Sequence, residues 1–96
     1  MIIKNKSYKV VGYCEKNSIF NSRKELIGYL TDNQILNING LVLGYVIGAD
    51  IYNSFFTWKG KLTNGCIFNS ELKEIGYYEG DNLNLMGAGA YLLFYL

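Results

Sequence analysis

Histidine is missing from this chain of 96 residues. With it go the side chain that most often acts as general base near neutral pH and the commonest nitrogen ligand for a metal. Proline is missing too, so no strand is obliged to give up a backbone N–H. Cysteine occurs twice, at Cys14 and Cys66, too few for a disulfide framework, and two free, reduced thiols are expected. Charge of one sign is not in excess: Lys+Arg 9 against Asp+Glu 8 leaves a formal +1, with Arg23 the single arginine. That balance carries no electrostatic footprint for nucleic acid. Long apolar runs are also missing. The N-terminus, MIIKNKSYKV, is too polar for the core of a secretory signal, and the segment from Ala90 to Leu96 is too short to span a bilayer. A cytoplasmic protein with no membrane span, cofactor or metal is the expectation.

What is present is repetition. Gly12, Gly28, Gly44, Gly60 and Gly76 follow one another at steps of 16 residues. Two more ladders keep the same step, Asn5, Asn21, Asn37, Asn53 and Asn69, and Ile3, Ile19, Ile35, Ile51 and Ile67, the last continued by Leu83. The blocks run 1–16, 17–32, 33–48, 49–64 and 65–80, with a tail at 81–96. Block two, NSIFNSRKELIGYLTD, and block five, GCIFNSELKEIGYYEG, share IFNS and IGY outright. Such a period describes one supersecondary unit used several times.

Each block holds two apolar stretches rich in Ile, Val, Tyr and Phe, separated by tetrads such as INGL, LTNG and YEGD. Short β-branched and aromatic runs between Asn and Gly read as strands and tight turns. No stretch shows helical spacing; RKELIGYL is tempting, but Gly28 interrupts it and its counterparts KVVGY and LVLGY are strand-like. The expectation is an all-β single domain, 1–96, of about ten to twelve short antiparallel strands joined by local hairpins around a common axis. Isoleucine and the asparagine two residues on share one side of a strand. The isoleucines are expected to stack toward the axis and the asparagines to close the following turns by Asx hydrogen bonds. Five glycines in register inside strands call for a bulge, a bend or a closely approaching backbone. Cys14 shares a column with Leu30, Val46, Leu62 and Tyr78 and reads as packed, whereas Cys66, in register with Ser18, Gln34 and Asp50, reads as a strand edge.

Chemistry finds little foothold. There is no phosphate loop and no nucleophile elbow, and the eight carboxylates sit mostly in turn-like segments. A non-enzymatic binding or scaffolding module is expected. The alternative is a carbohydrate- or cell-envelope-binding module using repeated aromatics, because equally spaced aromatic faces can stack on sugar rings and repeat surfaces are often binding surfaces. The aromatic candidates for ligand contact are Tyr13, Tyr29, Tyr45 and Tyr77, each following a ladder glycine, and Trp58, in the divergent fourth block where Lys61 breaks the tyrosine column.

The repeated I-x-N turn I-G-Y pattern, followed by EGDNLNLMGAGAYLLFYL, resembles the bacterial β-flower proteins, with five blocks and the AGAYLLFYL tail favouring the five-fold over the four-fold type. The resemblance implies a ring of hairpin petals around an axis and lends no catalytic residue. In that family the turn often reads Asp-x-x-Gly; here NING at 37–40 alone keeps the glycine. The resemblance also gives the tail a place: Ala88, Gly89 and Ala90 are small enough for a crowded centre, and Tyr91–Leu96 would form a last strand or plug. Left exposed, Tyr91–Leu96 would be a surface for self-association.

Overall fold

The computed structural model of the chain describes residues 1–95, within which ten strands and one helix follow in order. The strands are β1 (Ile2–Asn5), β2 (Val10–Glu15), β3 (Ser18–Asn21), β4 (Leu26–Thr31), β5 (Gln34–Asn37), β6 (Val42–Ile47), β7 (Asp50–Asn53), β8 (Trp58–Thr63), β9 (Cys66–Asn69) and β10 (Glu74–Glu79). Each pairs antiparallel with its neighbours in sequence, and β10 closes on β1, giving an up-and-down barrel with no free edge. Closure removes the exposed row of N–H and C=O groups that an open meander would present. It also makes the absence of proline intelligible, since each strand is paired on both sides.

Strand alternation sorts the ladders. Ile3, Ile19, Ile35, Ile51 and Ile67 all point inward and are 0% exposed. A second inward tier, Cys14, Leu30, Val46 and Leu62, lies toward the two-residue turns and is equally buried. The ladder glycines form the third tier, toward the opposite end. Each buried isoleucine contributes about 2–3 kcal/mol of apolar transfer, so the ring is the main source of cohesion between repeats.

The two ends of the barrel differ. At one end two-residue turns join the strands; Lys16 and Asn17 have φ of 49° and 67°, and Asn64 and Gly65 of 51° and 82°. Both central residues left-handed is the type I′ pattern that matches strand twist. At the other end are five wider turns, the petals, each opened by a ladder asparagine. The Asn5 side-chain oxygen accepts from the N–H of Ser7 at 2.9 Å and of Lys9 at 3.1 Å, and Asn21, Asn37, Asn53 and Asn69 repeat both bonds with their own turns. The Asx reading of that ladder therefore holds. The fourth residue of every petal is left-handed, namely Tyr8 (62°), Lys24 (65°), Gly40 (85°), Phe56 (61°) and Leu72 (62°). Losing the family's usual glycine thus leaves the turn geometry unchanged, because two side-chain bonds and a 5↔9-type backbone pair hold it: Asn5 N–H donates to Lys9 C=O at 2.9 Å.

Beside each ladder glycine the register slips by one residue, as where Ile19 faces Gly28 but Phe20 faces Leu26, leaving Ile27 as a bulge. On the other side of β4 the Leu36 carbonyl oxygen of β5 comes so near that a Cβ on Gly28 would lie 2.5 Å from it. A Cβ on Gly44 would run into the Tyr52 carbonyl oxygen, and one on Gly76 would meet that of Lys4 at 2.5 Å. Bulge and close approach, two of the causes expected from sequence, act together.

Of the two places expected for the tail, strand or plug, it takes the second: α1 (Leu83–Phe94) plugs the barrel, and it does so as a helix, although the sequence shows no helical spacing. Asn82 caps it, its side-chain oxygen accepting from Leu85 N–H at 3.1 Å. Entry is at the two-residue-turn end, where Asn84 reaches Asn33 at 3.4 Å. Gly87 faces Val46 and Ile51, Gly89 faces Cys14 and Ile3, and Tyr91, Leu92, Leu93 and Phe94 reach the ladder glycines. Every residue from Leu85 to Leu92 is buried. A helix apolar on all sides has no amphipathic stripe to read, which is why helical spacing was not legible there.

Gly44→Val is expected to lower stability by about 1–3 kcal/mol or more, the cost of overpacking against a fixed carbonyl; near-unchanged melting would show that the ring is not crowded. Leu72→Gly is expected to act oppositely, raising stability by about 1 kcal/mol in denaturant titration, because a left-handed residue that is 59% exposed gains from losing its Cβ.

Candidate functional site

The interior offers no site. It is occupied by α1, the described residues contain no buried polar or charged side chain, and none of their buried side-chain polar atoms is unpartnered. Among the described residues no group of three or more Cys, Asp or Glu could hold a metal ion. Candidates must therefore lie on the outer wall or at the ends.

The column tyrosines are on the outer wall, since the glycine and Cys14 tiers flanking them point inward. They stand one in each of four repeats around the barrel, Lys61 taking the place in the fourth, and are not brought together. Each sits beneath the left-handed residue of the next petal. Lys24 Nζ lies 5.2 Å from the Tyr13 ring centre, Phe56 stacks on Tyr45 at 4.3 Å, and Tyr8 stacks on Tyr77 at 4.4 Å. The Tyr8 pair joins the first petal to the last repeat and so seals the ring. Aromatic stacking and cation–π contact contribute about 0.5–1.5 kcal/mol each. Over Tyr29 the corresponding residue is Gly40, which has no side chain to offer. A cleft beside Tyr13 is bordered by Met1, Glu15, Phe20 and Lys24. Trp58 opens β8 and donates its indole N–H to Asp50 Oδ1 at 3.1 Å, half-buried against the wall. Of the residues expected in the self-association segment, Tyr91 and Leu92 are buried and Leu93, Phe94 and Tyr95 are half-buried at the petal-end mouth. Leu96 lies outside the described residues.

One polar cluster was not foreseen. Tyr77 O–H donates to Glu74 Oε1 at 2.7 Å, and this bond pushes the phenol well above its ordinary range. Glu74 is held low by the same bond and by Cys66, whose thiol is in turn pushed up by the carboxylate. Cys66 opens β9 on the outer wall, paired with Tyr77, so it stands at the end of a strand and not on a free edge. A reactive thiol needs a lowered pKa; Cys66 has the reverse. Cys14 is buried as its column implied, and burial pushes it up to about 12.

The family described as 5-fold beta-flower protein matches residues 1–95. The chain belongs to the five-fold β-flower family. Comparisons with curated proteins and with solved structures return no match. Membership accords with the five hairpins and the closed ring, and it assigns no activity to the β-flower chain. No helix among the described residues is long and apolar enough to cross a membrane.

The asymmetry of this flower lies at its ends. The two-residue turns and their flanks carry Glu15, Asp32, Asp50, Glu79 and Asp81 against Lys16 and the Met1 amino group, with Glu79 paired to Lys4 Nζ and Asp50 opposite Lys61 on the neighbouring strand. The petals carry Lys6, Lys9, Arg23, Lys24 and Lys73 against Glu25, Glu71 and Glu74. Petals three, NINGLV, and four, NSFFTW, hold no charge at all. They expose Ile38 (56%), Leu41 (62%), Phe55 (86%) and Phe56 (58%).

Burial of the Cys14 thiol yields a measurable consequence. At mildly alkaline pH a thiol reagent is expected to label Cys66 in the folded protein and Cys14 only after unfolding. The native state holds the Cys14 proton more tightly than the unfolded chain, where the thiol ionises near its ordinary 9.0. Stability is therefore complete below that pH and is lost as pH rises toward about 12. The alkaline loss should be shallower in Cys14→Ala; an identical slope would refute it.

Proposed function

We propose that this β-flower is a non-enzymatic binding module whose contact surface is the petal end, centred on petals three and four. The observation that carries the reading is Phe55. In the other petals its position holds Ser7, Arg23, Asn39 or Glu71, and here a phenylalanine stands almost entirely in solvent. Phe56 beside it and Ile38 and Leu41 on the adjoining petal are exposed as well, which gathers apolar side chains on one part of the rim and supports an interaction surface there. Nothing in the turn requires it, since the asparagine bonds and the left-handed fourth residue are the same in all five petals.

Against catalysis stand the filled interior and a thiol and phenol whose protons are held. Against a carbohydrate platform on the outer wall stands the scattering of the column tyrosines, three of which already have a face covered by a petal residue. The free thiols accord with a reducing, cytoplasmic setting.

A solvatochromic apolar dye tests the reading without knowledge of the partner. The wild type is expected to enhance dye fluorescence, and Phe55→Ser combined with Phe56→Gly to abolish most of the enhancement. Glycine is chosen because Gly40 fills the same position in petal three. Dye enhancement that survives both changes would place the accessible apolar surface elsewhere and overturn the assignment.

A further inference from the structure

Resting on the petal-end reading, we propose that the partner is an anionic phospholipid surface, with petals three and four inserting and petals one and two supplying the attraction. The arrangement on the rim carries the argument. Petals one and two bear Lys6, Lys9, Arg23 and Lys24 against Glu25 alone, and they adjoin the uncharged pair in the ring order. Cations beside protruding apolar side chains are the two elements of interfacial attachment. Apolar area enters the acyl boundary while each basic group near an anionic surface adds attraction. The opposite end of the barrel carries five carboxylates that Lys4, Lys16, Lys61 and the Met1 amino group only partly offset, so it is the less attracted of the two and the charge polarity favours one orientation. In that orientation Trp58, which opens β8 directly after petal four, lies at the base of its petal, the level at which amphipathic rings collect. The half-buried Leu93, Phe94 and Tyr95 at the mouth of the barrel continue the apolar surface inward from the rim.

A second copy of the chain fits less well. A stable protein interface needs roughly 800 Å² of complementary surface per partner. The petals are separate protrusions of which two are apolar, and the other end of a second copy would set Phe55 among aspartates and glutamates. A fluid apolar layer accepts isolated knobs without a matching pocket.

Sedimentation with phosphatidylcholine vesicles, with and without phosphatidylserine, tests the proposal. The wild type is expected to bind the phosphatidylserine vesicles, to bind phosphatidylcholine alone much more weakly, and to be released by salt. Phe55→Ser removes a side chain that is 86% exposed, so its fold should be unchanged, and vesicle binding should fall about tenfold or more. Lys6→Gln with Lys9→Gln should weaken binding to phosphatidylserine vesicles and leave the dye response intact. Failure of the wild type to bind phosphatidylserine vesicles would overturn the lipid assignment and leave the petal-end reading standing if the dye response persists. Undiminished vesicle binding by Phe55→Ser would overturn it also, as would a wild-type dimer in solution that Phe55→Ser converts to monomer.

Discussion

The helix inside the barrel is the constraint on which the rest depends. A closed barrel of eight strands can be filled by side chains; ten strands enclose more, and an α-helix with its side chains, about 10 Å across, takes that space here. The fit requires the wall to be thick where the helix is thin and thin where it is thick. Near the entrance, α1 presents Gly87, Ala88, Gly89 and Ala90 to the isoleucine ring and the Cys14 tier. Near its end it presents Tyr91, Leu92, Leu93 and Phe94, and there the wall is glycine. Small residues on the helix face large ones on the wall, and the order reverses along the axis. The glycine ladder is one half of this complementarity. Its other cause is the carbonyl of the strand on the side away from the bulge, so a larger residue would collide even with the helix removed.

Five nearly identical hairpins enclose a single helix, and a helix has no five-fold symmetry. Each repeat therefore meets a different side chain: Gly12 meets Leu93, Gly28 Leu92, Gly44 Tyr91, Gly60 Tyr95 and Gly76 Phe94. Glycine suits that mismatch because it sets no shape of its own. The second tier instead adapts residue by residue, from Cys14 to Leu30, Val46 and Leu62. Tyr95 adds a specific lock, its hydroxyl donating to the Lys59 carbonyl at 2.8 Å, in the repeat that departs furthest from the common pattern.

Much of the wall could be read from the ladders. Ile3 and its counterparts predicted the core because period-two alternation leaves little choice once one face is apolar, and Asn5 and its counterparts predicted the turns because Asx bonding is local. The burial of Cys14 followed the same logic, whereas the closed ring of hairpins was what the family resemblance implied. The helix could not be read this way. Leu83–Phe94 is apolar nearly all round apart from Asn84 and is interrupted by Gly87 and Gly89, so periodicity does not mark it; the local signals it does carry are its Leu, Met and Ala content and the Asn82 cap. The tyrosine column could be recognised but not interpreted: whether Tyr13 is a platform or a packed face depends on Lys24, which reaches it across a repeat boundary. The Glu74 and Tyr77 cluster was equally hidden, since its members are ordinary strand residues until β9 and β10 pair.

Symmetry itself then separates scaffold from surface. A residue common to all five repeats is explained by what all five must do, namely pack on the axis, open a turn or pass a carbonyl. Residues that differ are explained by the helix if they point inward, and by nothing within the fold if they point outward at a petal tip. Phe55 belongs to the last group. Its petal has the same asparagine bonds and the same left-handed fourth residue as the others, and its side chain is 86% exposed. Burying a phenylalanine is favourable by about 1.5–3 kcal/mol, and at this tip the folded chain forgoes that gain although Ser, Arg, Asn and Glu serve the equivalent turns. The fold leaves the position free, and it is on that freedom that the proposed petal-end contact rests.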